Sequence, residues 1–305
     1  MSVIAEDSLR VLVDQVRPCL GLGSVSNYLP ELSRARSDEL AVAIDLGTDG
    51  VITAGDHAAT FTLQSVVKVF TLLLALRHRG KEYVFERVGC DQAPASYNSL
   101  ETFARGSGMP VNPFVNAGAL VAVDMLPGTD PDSRLAEVLK FIRALTDNPD
   151  ITVNLETARS ELMLADQNRA LGYYLRSHGL VSTGIEELLW TYCQMCAIEV
   201  DVVDLARASR MLASRSDIRV MDHVLEASHL RLVRRLMLST GMYEASGHYA
   251  RDVGIPAKGG VSGAMMGVAH HQQGIGIYGP ALDESANSIG GLRLMQLLSP
   301  IFDVD

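Results

Sequence analysis

The sequence predicts an α+β fold in which a central, mostly antiparallel sheet is flanked by helices and interrupted by a helical insertion. Three observations support it. Short apolar segments separated by polar turns occupy 40–63, a similar hairpin pattern returns at 264–278, and the chain between them carries apolar residues at helical spacing. We expect residues 1–64 and 252–305 to form a discontinuous sheet domain and 65–251 a mainly helical domain, with the active site between them.

The spacing of the apolar residues and the turn residues between them predict the individual elements. Apolar runs bounded by turn residues predict strands, whereas apolar spacing near 3.6 with a polar opposite face predicts helices. The predicted strands are 40–46, 51–54, 60–63, 264–269 and 274–278, with polar turns at 47–50 and at 270–273, the latter including His270 and His271. The predicted helices are an amphipathic amino-terminal one in MSVIAEDSLRVLVDQVRP and those at 135–145, 160–177, 184–198, 202–214, 228–238 and about 288–298.

Composition limits the classes of partner. The 305 residues are 48% hydrophobic and 20% charged, with a formal net charge of -10. An acidic chain without clustered Lys and Arg is a poor match for a nucleic-acid backbone, so a small-molecule ligand is expected. Neither a signal-type segment nor an apolar run of membrane-spanning length is present, which predicts a soluble, cytoplasmic protein with no membrane partner.

The four cysteines are too few and too scattered to form a disulfide framework. Cys193 and Cys196 have the spacing of a redox or zinc motif, but no second pair of ligands occurs at matching spacing. We therefore expect buried thiols of a helix and no metal site.

A serine and a lysine three residues apart are the most informative feature. Ser65 and Lys68 lie in FTLQSVVKVFTLLLAL, where a short extended entry meets an apolar run that ends in Arg-His-Arg-Gly. This places Ser65 at a helix start with Lys68 on the same face, close enough to take the serine proton. The apolar neighbours disfavour the ammonium form and lower the pKa of Lys68 towards neutrality. The alternative is structural: Ser65 as a helix N-cap and Lys68 as a surface residue whose stem is buried.

A second lysine fits the same plan. Lys258 precedes two glycines at the start of a predicted late strand, which is the second element of the serine-lysine hydrolase pattern. Glycines let a main chain approach a ligand, so an amide of this strand can join that of Ser65 in an oxyanion hole. Taken alone, the motif is equally well explained as a loop-to-strand junction.

Several sequence blocks together resemble the serine-dependent glutaminases, which are relatives in fold of the serine β-lactamases. The resemblance runs nearly end to end. It is carried by VSNYLPEL (25–32), QSVVKVF (64–70), PVNPFVNAGAL (110–120), SELMLADQNRALGYYL (160–175), TYCQMCAIEV (191–200), GMYEASGHYARDVGIPAKGGVSG (241–263) and GIGIYGPALDESANS (274–288).

The resemblance implies a β-lactamase-like fold and hydrolysis of the side-chain amide of L-glutamine to L-glutamate and ammonia through a serine acyl-enzyme. It implies Ser65 as nucleophile and Lys68 as base, no cofactor, and a homo-oligomer, either a dimer or a tetramer. It also implies a substrate site lined by Tyr28, Ser65, Asn116, Glu161, Asn168, Tyr192, Tyr243 and the main chain of Val261.

These residue types suit a free amino acid. Glu161 supplies an anion for an ammonium group, and the asparagines and tyrosines supply neutral donors. A tyrosine hydroxyl near the serine can pass a proton to departing ammonia, and we favour Tyr243 over Tyr192. Glu161 and Asn168 are seven apart, which puts them on one face of the predicted helix at 160–177.

Each of these residues also has a structural explanation. Asn116 before Ala-Gly can be a turn residue, Glu161 a first-turn helix acid and Asn168 an exposed helix position. The tyrosines can be core aromatics with a hydroxyl at the edge of the core.

The chain departs from the usual family pattern at four places. Gly259, Val67 and Ala197 each stand where the family usually has serine, and Pro94-Ala95-Ser96 replaces a PSG-type segment. Losing hydroxyls near the cleft can alter hydrogen bonding around both lysines, so rate and substrate preference are less constrained than fold.

Two other functions compete with the glutaminase interpretation. A β-lactamase- or peptidase-like serine-lysine amidohydrolase would turn over nitrocefin but not glutamine. A non-catalytic glutamine-binding relative would show a thermal shift with glutamine yet release no ammonia.

Overall fold

The computed structural model of the protein describes residues 4–93, 103, 108–221, 223–269 and 272–302. The strands are β1 (Ala41–Asp45), β2 (Val51–Gly55), β3 (Phe61–Thr62), β4 (Glu199–Val200), β5 (Ile218–Val220), β6 (His223–Leu225), β7 (Ala257–Gly259), β8 (Ala264–Ala269) and β9 (Gln273–Tyr278). The helices are α1 (Glu6–Val16), α2 (Val67–Arg79), α3 (Lys81–Phe85), α4 (Asn116–Asp124), α5 (Pro131–Thr146), α6 (Leu155–Met163), α7 (Asp166–Ser177), α8 (Ile185–Cys196), α9 (Val202–Leu212), α10 (Ala227–Thr240), α11 (Ser246–Asp252) and α12 (Ile289–Leu298).

A five-stranded antiparallel sheet joins the two ends of the chain. Its strand order is β2-β1-β9-β8-β7, so the amino-terminal hairpin pairs directly with the carboxyl-terminal strands. In the register, Ala43 of β1 lies opposite Gly276 of β9, which in turn lies opposite Met266 of β8. The predicted central antiparallel sheet is confirmed, and β7 places Lys258 at its edge.

The two faces of the sheet are covered by different helices, because alternate residues of each strand point to opposite sides. On one face Val42 and Ile44 pack with the apolar sides of α1 and α12. On the other face α9 lies directly on β9, where a Cβ at Gly276 would approach the main-chain oxygen of Val202 to 2.1 Å. Only glycine permits this close contact between helix and sheet.

The helix that begins after the serine is buried over most of its length. In α2 all residues from Val67 to Leu76 are buried, and the helix ends with Arg77, His78 and Arg79 before Gly80 at φ 80°. The predicted cationic last turn and glycine stop are confirmed. Because both sides of α2 are packed, even a polar side chain on it lies in the interior.

The prediction of one helix over 160–177 is wrong. The chain leaves α6 at Leu164 and Ala165, whose ψ angles of 8° and 19° interrupt the α-helical conformation, and α7 starts at Asp166. The break contains neither Gly nor Pro, so no residue in the sequence marks the end of a helix there. As a result, Glu161 and Asn168 lie on different helices, and the argument that they share one helix face is also wrong.

The other predicted elements are found with small shifts at their ends. Helices α1, α5, α8, α9, α10 and α12 and strands β1, β2, β8 and β9 occur where the sequence predicted them. The prediction for His270 and His271 falls outside the described residues. No helix in the described part of the chain is both long enough and apolar enough to cross a bilayer.

The expected division into a sheet domain and a helical domain remains a prediction. Helix α9 belongs by sequence to the insertion, yet it packs across β1, β8 and β9. Any boundary drawn between the two regions must therefore treat α9 as a covering layer of the sheet.

Candidate active site

Ser65 lies in a tight turn between sheet and helix. A 3₁₀ turn at Gln64–Val66 follows β3 and leads directly into α2. Gln64 has φ 46°, a left-handed conformation that is uncommon for a residue other than glycine and that often marks functional sites. The serine is 8% exposed and borders a cleft. The predicted helix start is confirmed, with the serine in the turn before α2.

Lys68 follows one turn later and is only 1% exposed, so the alternative of a surface lysine is wrong. Its Nζ donates to the carbonyl of Phe114 at 3.0 Å and to Oδ1 of Asn116 at 2.7 Å. Burial lowers the pKa of the Lys68 ammonium to about 8, although the acidic groups of Cys196 and Glu161 oppose the shift. A substantial neutral fraction is therefore present near neutral pH, as a general base requires.

Asn116 and Asn168 form a hydrogen-bonded chain with Lys68. Asn116 is the first residue of α4, not a turn residue, and its Nδ2 donates to Oδ1 of Asn168 at 3.0 Å. Asn168 is 5% exposed on α7, so the alternative of an exposed helix position is also wrong. Its amide oxygen is engaged by Asn116, which orients the amide so that the Nδ2 donors serve the cleft.

Glu161 is a buried carboxylate in the last turn of α6, not a first-turn acid. It is 4% exposed, and the amide of Gln64 lies 3.5 Å from its Oε2. Burial raises the pKa of Glu161 to about 7, while hydrogen bonds from Gln64 and Cys196 and the charge of Lys68 act in the opposite direction. No Lys or Arg in the described part of the chain forms a salt bridge with it. A cationic ligand would fill that role.

Tyr192 and Cys196 lie one turn apart on α8, and both border the cleft. Burial raises the pKa of both groups well above their ordinary values, so phenol and thiol stay protonated. Both residues line the cleft together with Glu161. Because Tyr192 is buried and also borders the cleft, it is both a core aromatic and a cleft residue.

The side chains of Lys258 and Tyr243 both donate hydrogen bonds to the Gly259 carbonyl. The Lys258 ammonium nitrogen donates to the Gly259 oxygen at 2.6 Å, and the Tyr243 hydroxyl donates to the same oxygen at 3.1 Å. Lys258 is fully buried, and its Nζ lies 4.1 Å from the centroid of the Tyr243 ring. Burial, reinforced by the charge of Lys68, lowers the pKa of Lys258 well below its usual value. The two predicted lysines are thus electrostatically coupled neighbours.

Tyr243 is held in an unusual backbone conformation. Its φ is 53°, which is strained for an aromatic residue. Ser246 stabilises the turn, since its hydroxyl donates to the Tyr243 carbonyl at 2.7 Å and accepts from the Met242 N–H at 3.0 Å. The strain is located at a residue that the sequence singled out for proton transfer.

Gly260 lets the main chain after β7 approach the main chain of the turn that contains Ser65. A Cβ at Gly260 would lie 2.8 Å from the Leu63 oxygen and 3.3 Å from the Ser65 nitrogen. Strand and serine turn are therefore in direct contact, and Val261, which is 9% exposed, reaches the cleft. Within the described residues, neither Ser65 nor Val261 donates its main-chain N–H to a turn or loop acceptor. Both amides are available to an oxyanion.

One cleft brings most of the predicted site together. Seven predicted residues line it: Tyr28, Ser65, Asn116, Glu161, Asn168, Tyr192 and Val261. Lys68, Lys258 and Tyr243 are not part of its lining. Lys68 bonds to the cleft residue Asn116, whereas Lys258 and Tyr243 bond to the Gly259 carbonyl, two positions before the cleft residue Val261. Tyr28 is 41% exposed, so it is a residue of the rim and not of the core.

Sequence reasoning missed four residues of the lining: Gln64, Leu164, Gln167 and Cys196. Gln64 and Gln167 precede Ser65 and Asn168 directly, so their place beside predicted site residues was an available signal. Cys193 and Cys196 are buried free thiols of α8, as predicted, and no group of three or more metal-ligating side chains occurs in the ranges that the structure describes.

The departures from the family pattern fall in packed surroundings. Val67 and Ala197 are fully buried among apolar residues. A Cβ at Gly259 would meet Oδ1 of Asn287 at 3.5 Å, and this oxygen is buried with no hydrogen-bond partner among the residues that the structure describes. The segment Pro94-Ala95-Ser96 lies outside the described residues.

Comparison with known sequences gives one consistent answer. The family model described as Glutaminase matches residues 23–305. A glutaminase of Bacillus mycoides (strain KBAB4) is 41% identical over 303 residues, which cover 98% of this chain and 97% of the relative. A glutaminase of Shouchella clausii (strain KSM-K16) is 41% identical over 297 residues, covering 97% and 96%.

Comparison with solved structures agrees. A probable glutaminase of Bacillus subtilis matches with a TM-score of 0.88 at 33% identity, covering 98% of this chain and 97% of the other. A structure of a probable glutaminase from Bacillus subtilis complexed with 6-diazo-5-oxo-L-norleucine matches with a TM-score of 0.86 at 34% identity, covering 100% and 97%.

Proposed function

The chain belongs to the glutaminase family, and we propose that it hydrolyses the side-chain amide of L-glutamine to L-glutamate and ammonia through an acyl-enzyme on Ser65. The observation that carries the proposal is the cleft itself. It combines a serine at a helix start, backed by a buried lysine whose pKa is lowered to about 8, with a buried carboxylate to which no Lys or Arg of the described residues forms a salt bridge.

Recognition of a free amino acid follows from the donors and acceptors of the cleft. Glu161 accepts hydrogen bonds from the α-ammonium group, and the outward amide of Asn168 donates to the α-carboxylate. The bound 6-diazo-5-oxo-L-norleucine in a relative supports this assignment, since that compound carries the same α-amino acid group on a chain of similar length.

The acylation step uses the neutral form of Lys68. Its lone pair takes the proton of the Ser65 hydroxyl as Oγ attacks the carbonyl carbon of the glutamine side chain. The tetrahedral oxyanion accepts hydrogen bonds from the main-chain N–H groups of Ser65 and Val261. The contact at Gly260 supports this role because it brings the two segments together.

Ammonia leaves when the intermediate collapses. The amide nitrogen must gain the proton that Lys68 removed from serine, so that a neutral leaving group departs. We assign its delivery to Tyr243, whose hydroxyl shares the Gly259 carbonyl with Lys258. Tyr192 forms part of the wall of the cleft that Glu161 also lines.

Deacylation repeats the chemistry with water. Lys68, again neutral, removes a proton from water as the oxygen attacks the γ-glutamyl ester. The ester bond to Oγ then breaks, Ser65 regains its proton, and L-glutamate is released. No step requires a group from outside the chain except water.

The test is ammonia release by the purified protein from L-glutamine, with L-asparagine and nitrocefin in parallel. We expect release from glutamine, little from asparagine, whose amide is one methylene closer to the ammonium group, and no nitrocefin turnover. Turnover of nitrocefin alone would favour the β-lactamase-like alternative. A thermal shift with glutamine but no ammonia would favour a binding protein.

The family resemblance also supports a homo-oligomer, either a dimer or a tetramer, and a cytoplasmic location remains a prediction from the sequence. Light scattering on the purified protein and fractionation of cells that express it would test these two points. We further propose that the catalytic cleft lies between the sheet region, residues 1–64 and 252–305, and the helical region, residues 65–251. The cleft supports this division because Val261 and Tyr28 come from the first and Glu161 and Asn168 from the second.

A further inference from the structure

We propose that Leu164 closes the α-amino end of the cleft and restricts the substrate to glutamine whose α-ammonium group carries no substituent. The inference rests on the proposed function and deepens it, because it names a residue that determines the substrate class. Leu164 is one of the lining residues that sequence reasoning missed. It takes no part in bond making, so its effect is on which molecules can enter the cleft.

The first support is the position of Leu164 relative to Glu161. The two residues are three apart at the end of α6, so their side chains lie on one face of the helix, and both line the cleft. Glu161 is 4% exposed, whereas Leu164 is 53% exposed. Leu164 therefore lies on the solvent side of the carboxylate, in the path of any group attached to an ammonium that Glu161 binds.

The second support is the exposure of large side chains at the mouth of the cleft. Leu162 packs against the apolar core, whereas Leu164, two positions later, stands more than half exposed. The Leu164 side chain therefore contributes little to the packing of the fold, and its apolar surface is available to a ligand. Tyr28 is the other large exposed side chain among the described lining residues. These two side chains narrow the entrance.

The third support is the anchoring of the corner that carries Leu164. Arg169 donates from Nε and Nη2 to the two carboxylate oxygens of Glu186 at 2.9 and 3.2 Å. Its Nη2 also donates to the Leu162 carbonyl at 3.1 Å. The guanidinium thereby joins the break between α6 and α7 to the first turn of α8. Because a bidentate pair fixes orientation as well as distance, the corner resists displacement by a bulkier ligand.

The segment that carries Tyr28 is tied to the same helix. The Ser160 hydroxyl donates to Oε1 of Glu31 at 2.8 Å, and this bond connects the chain just after Tyr28 to α6. Both large side chains of the mouth are therefore held relative to α6. An entrance of fixed width selects ligands by size, whereas Glu161 selects them by charge.

The test separates size from charge with Nα-isopropyl-L-glutamine. Its nitrogen keeps a positive charge, so the attraction to Glu161 is retained, and the added group has as many carbons as Leu164→Ala removes. Ammonia release gives kcat/KM for this compound relative to L-glutamine. We expect the wild type to use it roughly 10²-fold less efficiently than glutamine, and Leu164→Ala to raise this ratio about tenfold or more. Leu164→Val, which is intermediate in size, should give an intermediate ratio.

The matched control is Met163→Ala. Met163 is the neighbouring apolar residue of the same corner, is 73% exposed and is not part of the cleft lining. A general loosening of the corner would appear in both alanine variants, whereas widening of the cleft would appear in Leu164→Ala alone. We expect Met163→Ala to keep the wild-type ratio. Thermal unfolding midpoints show whether each variant is folded, and Leu164→Val replaces Leu164→Ala if the latter is not.

The inference is overturned if the wild type uses Nα-isopropyl-L-glutamine as well as glutamine, if Leu164→Ala leaves the ratio unchanged, or if Met163→Ala raises it equally. Ammonia release from L-glutamine by the wild type would still support the proposed function in each case. If the wild type releases no ammonia, calorimetric titration of the same proteins with L-glutamate and Nα-isopropyl-L-glutamate tests the inference separately. Relative affinity for the substituted compound should then rise in Leu164→Ala, and an unchanged relative affinity would overturn the inference.

Discussion

Lys68 Nζ donates a 2.7 Å hydrogen bond to the side-chain oxygen of Asn116, and this bond fixes the direction of the lysine. A second bond, to the Phe114 carbonyl at 3.0 Å, uses another N–H. A neutral amine has two N–H bonds, so these two acceptors occupy both and leave the lone pair for another partner. The two acceptors thus hold the Lys68 amine in one orientation, whether it is charged or neutral.

The pH dependence of kcat should report this lysine. We expect kcat for glutamine to rise with pH through about 8, because Lys68 is catalytically competent only when neutral. Asn116→Asp places a carboxylate next to the Lys68 ammonium group. It should move this rise in kcat to higher pH, since an adjacent anion favours the charged lysine. Steady-state kinetics from pH 6 to 10 provide the measurement. A profile that stays in place in Asn116→Asp would contradict the assignment of the base.

Glu161 should lower the free energy of unfolding at neutral pH, although it contributes to binding of the substrate ammonium group. Its pKa rises from 4.5 in the unfolded chain to about 7, so the folded state binds this proton more tightly, and that contribution to stability is lost as the pH rises through 7. Relative to the wild type, Glu161→Gln should therefore have about equal stability below pH 4.5 and be more stable at pH 7 by on the order of 2–3 kcal/mol. Denaturant unfolding at both pH values tests this. Ammonium binding should be lost, with a rise in KM of at least tenfold.

The two tyrosines should separate kinetically. Tyr243→Phe removes the hydroxyl held by the Gly259 carbonyl and should lower kcat by roughly 10²–10³-fold with KM changed only severalfold, the usual size of a general acid's contribution. Tyr192→Phe alters a side chain of the cleft wall and should act mainly on KM. Each variant serves as the control for the other. If Tyr192→Phe abolished kcat and Tyr243→Phe did not, the proton relay would have to be reassigned.

Gly259→Ser should stabilise the protein. A Cβ at this position would lie 3.5 Å from Met242 and 3.5 Å from Asn287, which are ordinary contacts. A serine hydroxyl here can donate to Oδ1 of Asn287, which has no hydrogen-bond partner among the described residues. Satisfying a buried acceptor contributes about 1 kcal/mol. Gly259→Ala is the control, because it shares the effect of a Cβ on the unfolded chain and lacks the hydroxyl. Thermal unfolding of a serine variant no more stable than the alanine variant would contradict the explanation.

Local patterns were sufficient to predict the candidate pair of serine and lysine. Ser65 and Lys68 are three residues apart, and the apolar run around them already indicated a buried helix. The strands 264–269 and 274–278 were equally clear, because a two-residue period and turn residues mark a hairpin within a short stretch. These features depend on contacts between near neighbours in sequence.

The parts that were missed depend on contacts that sequence spacing does not encode. Glu161 and Asn168 meet in the cleft although the helix between them breaks at Leu164 and Ala165, where no helix-breaking residue stands. Tertiary packing overrides propensity there. Cys196 lines the cleft for a similar reason, since Glu161, which borders the same cleft, lies 35 positions earlier on another helix. The short α3, β4 and α11 lack a periodic signal long enough to identify.

The most direct test of the whole account is ammonia release from L-glutamine by wild type and Ser65→Ala, with Ser182→Ala as a control. Ser182 bonds to Asp124 in the loop before α8 and is not part of the cleft lining. We predict release by the wild type and by Ser182→Ala, and a loss of at least about 10³-fold in Ser65→Ala with an unchanged thermal unfolding midpoint. Comparable ammonia release by folded Ser65→Ala would show that Ser65 is not the nucleophile and would contradict the account.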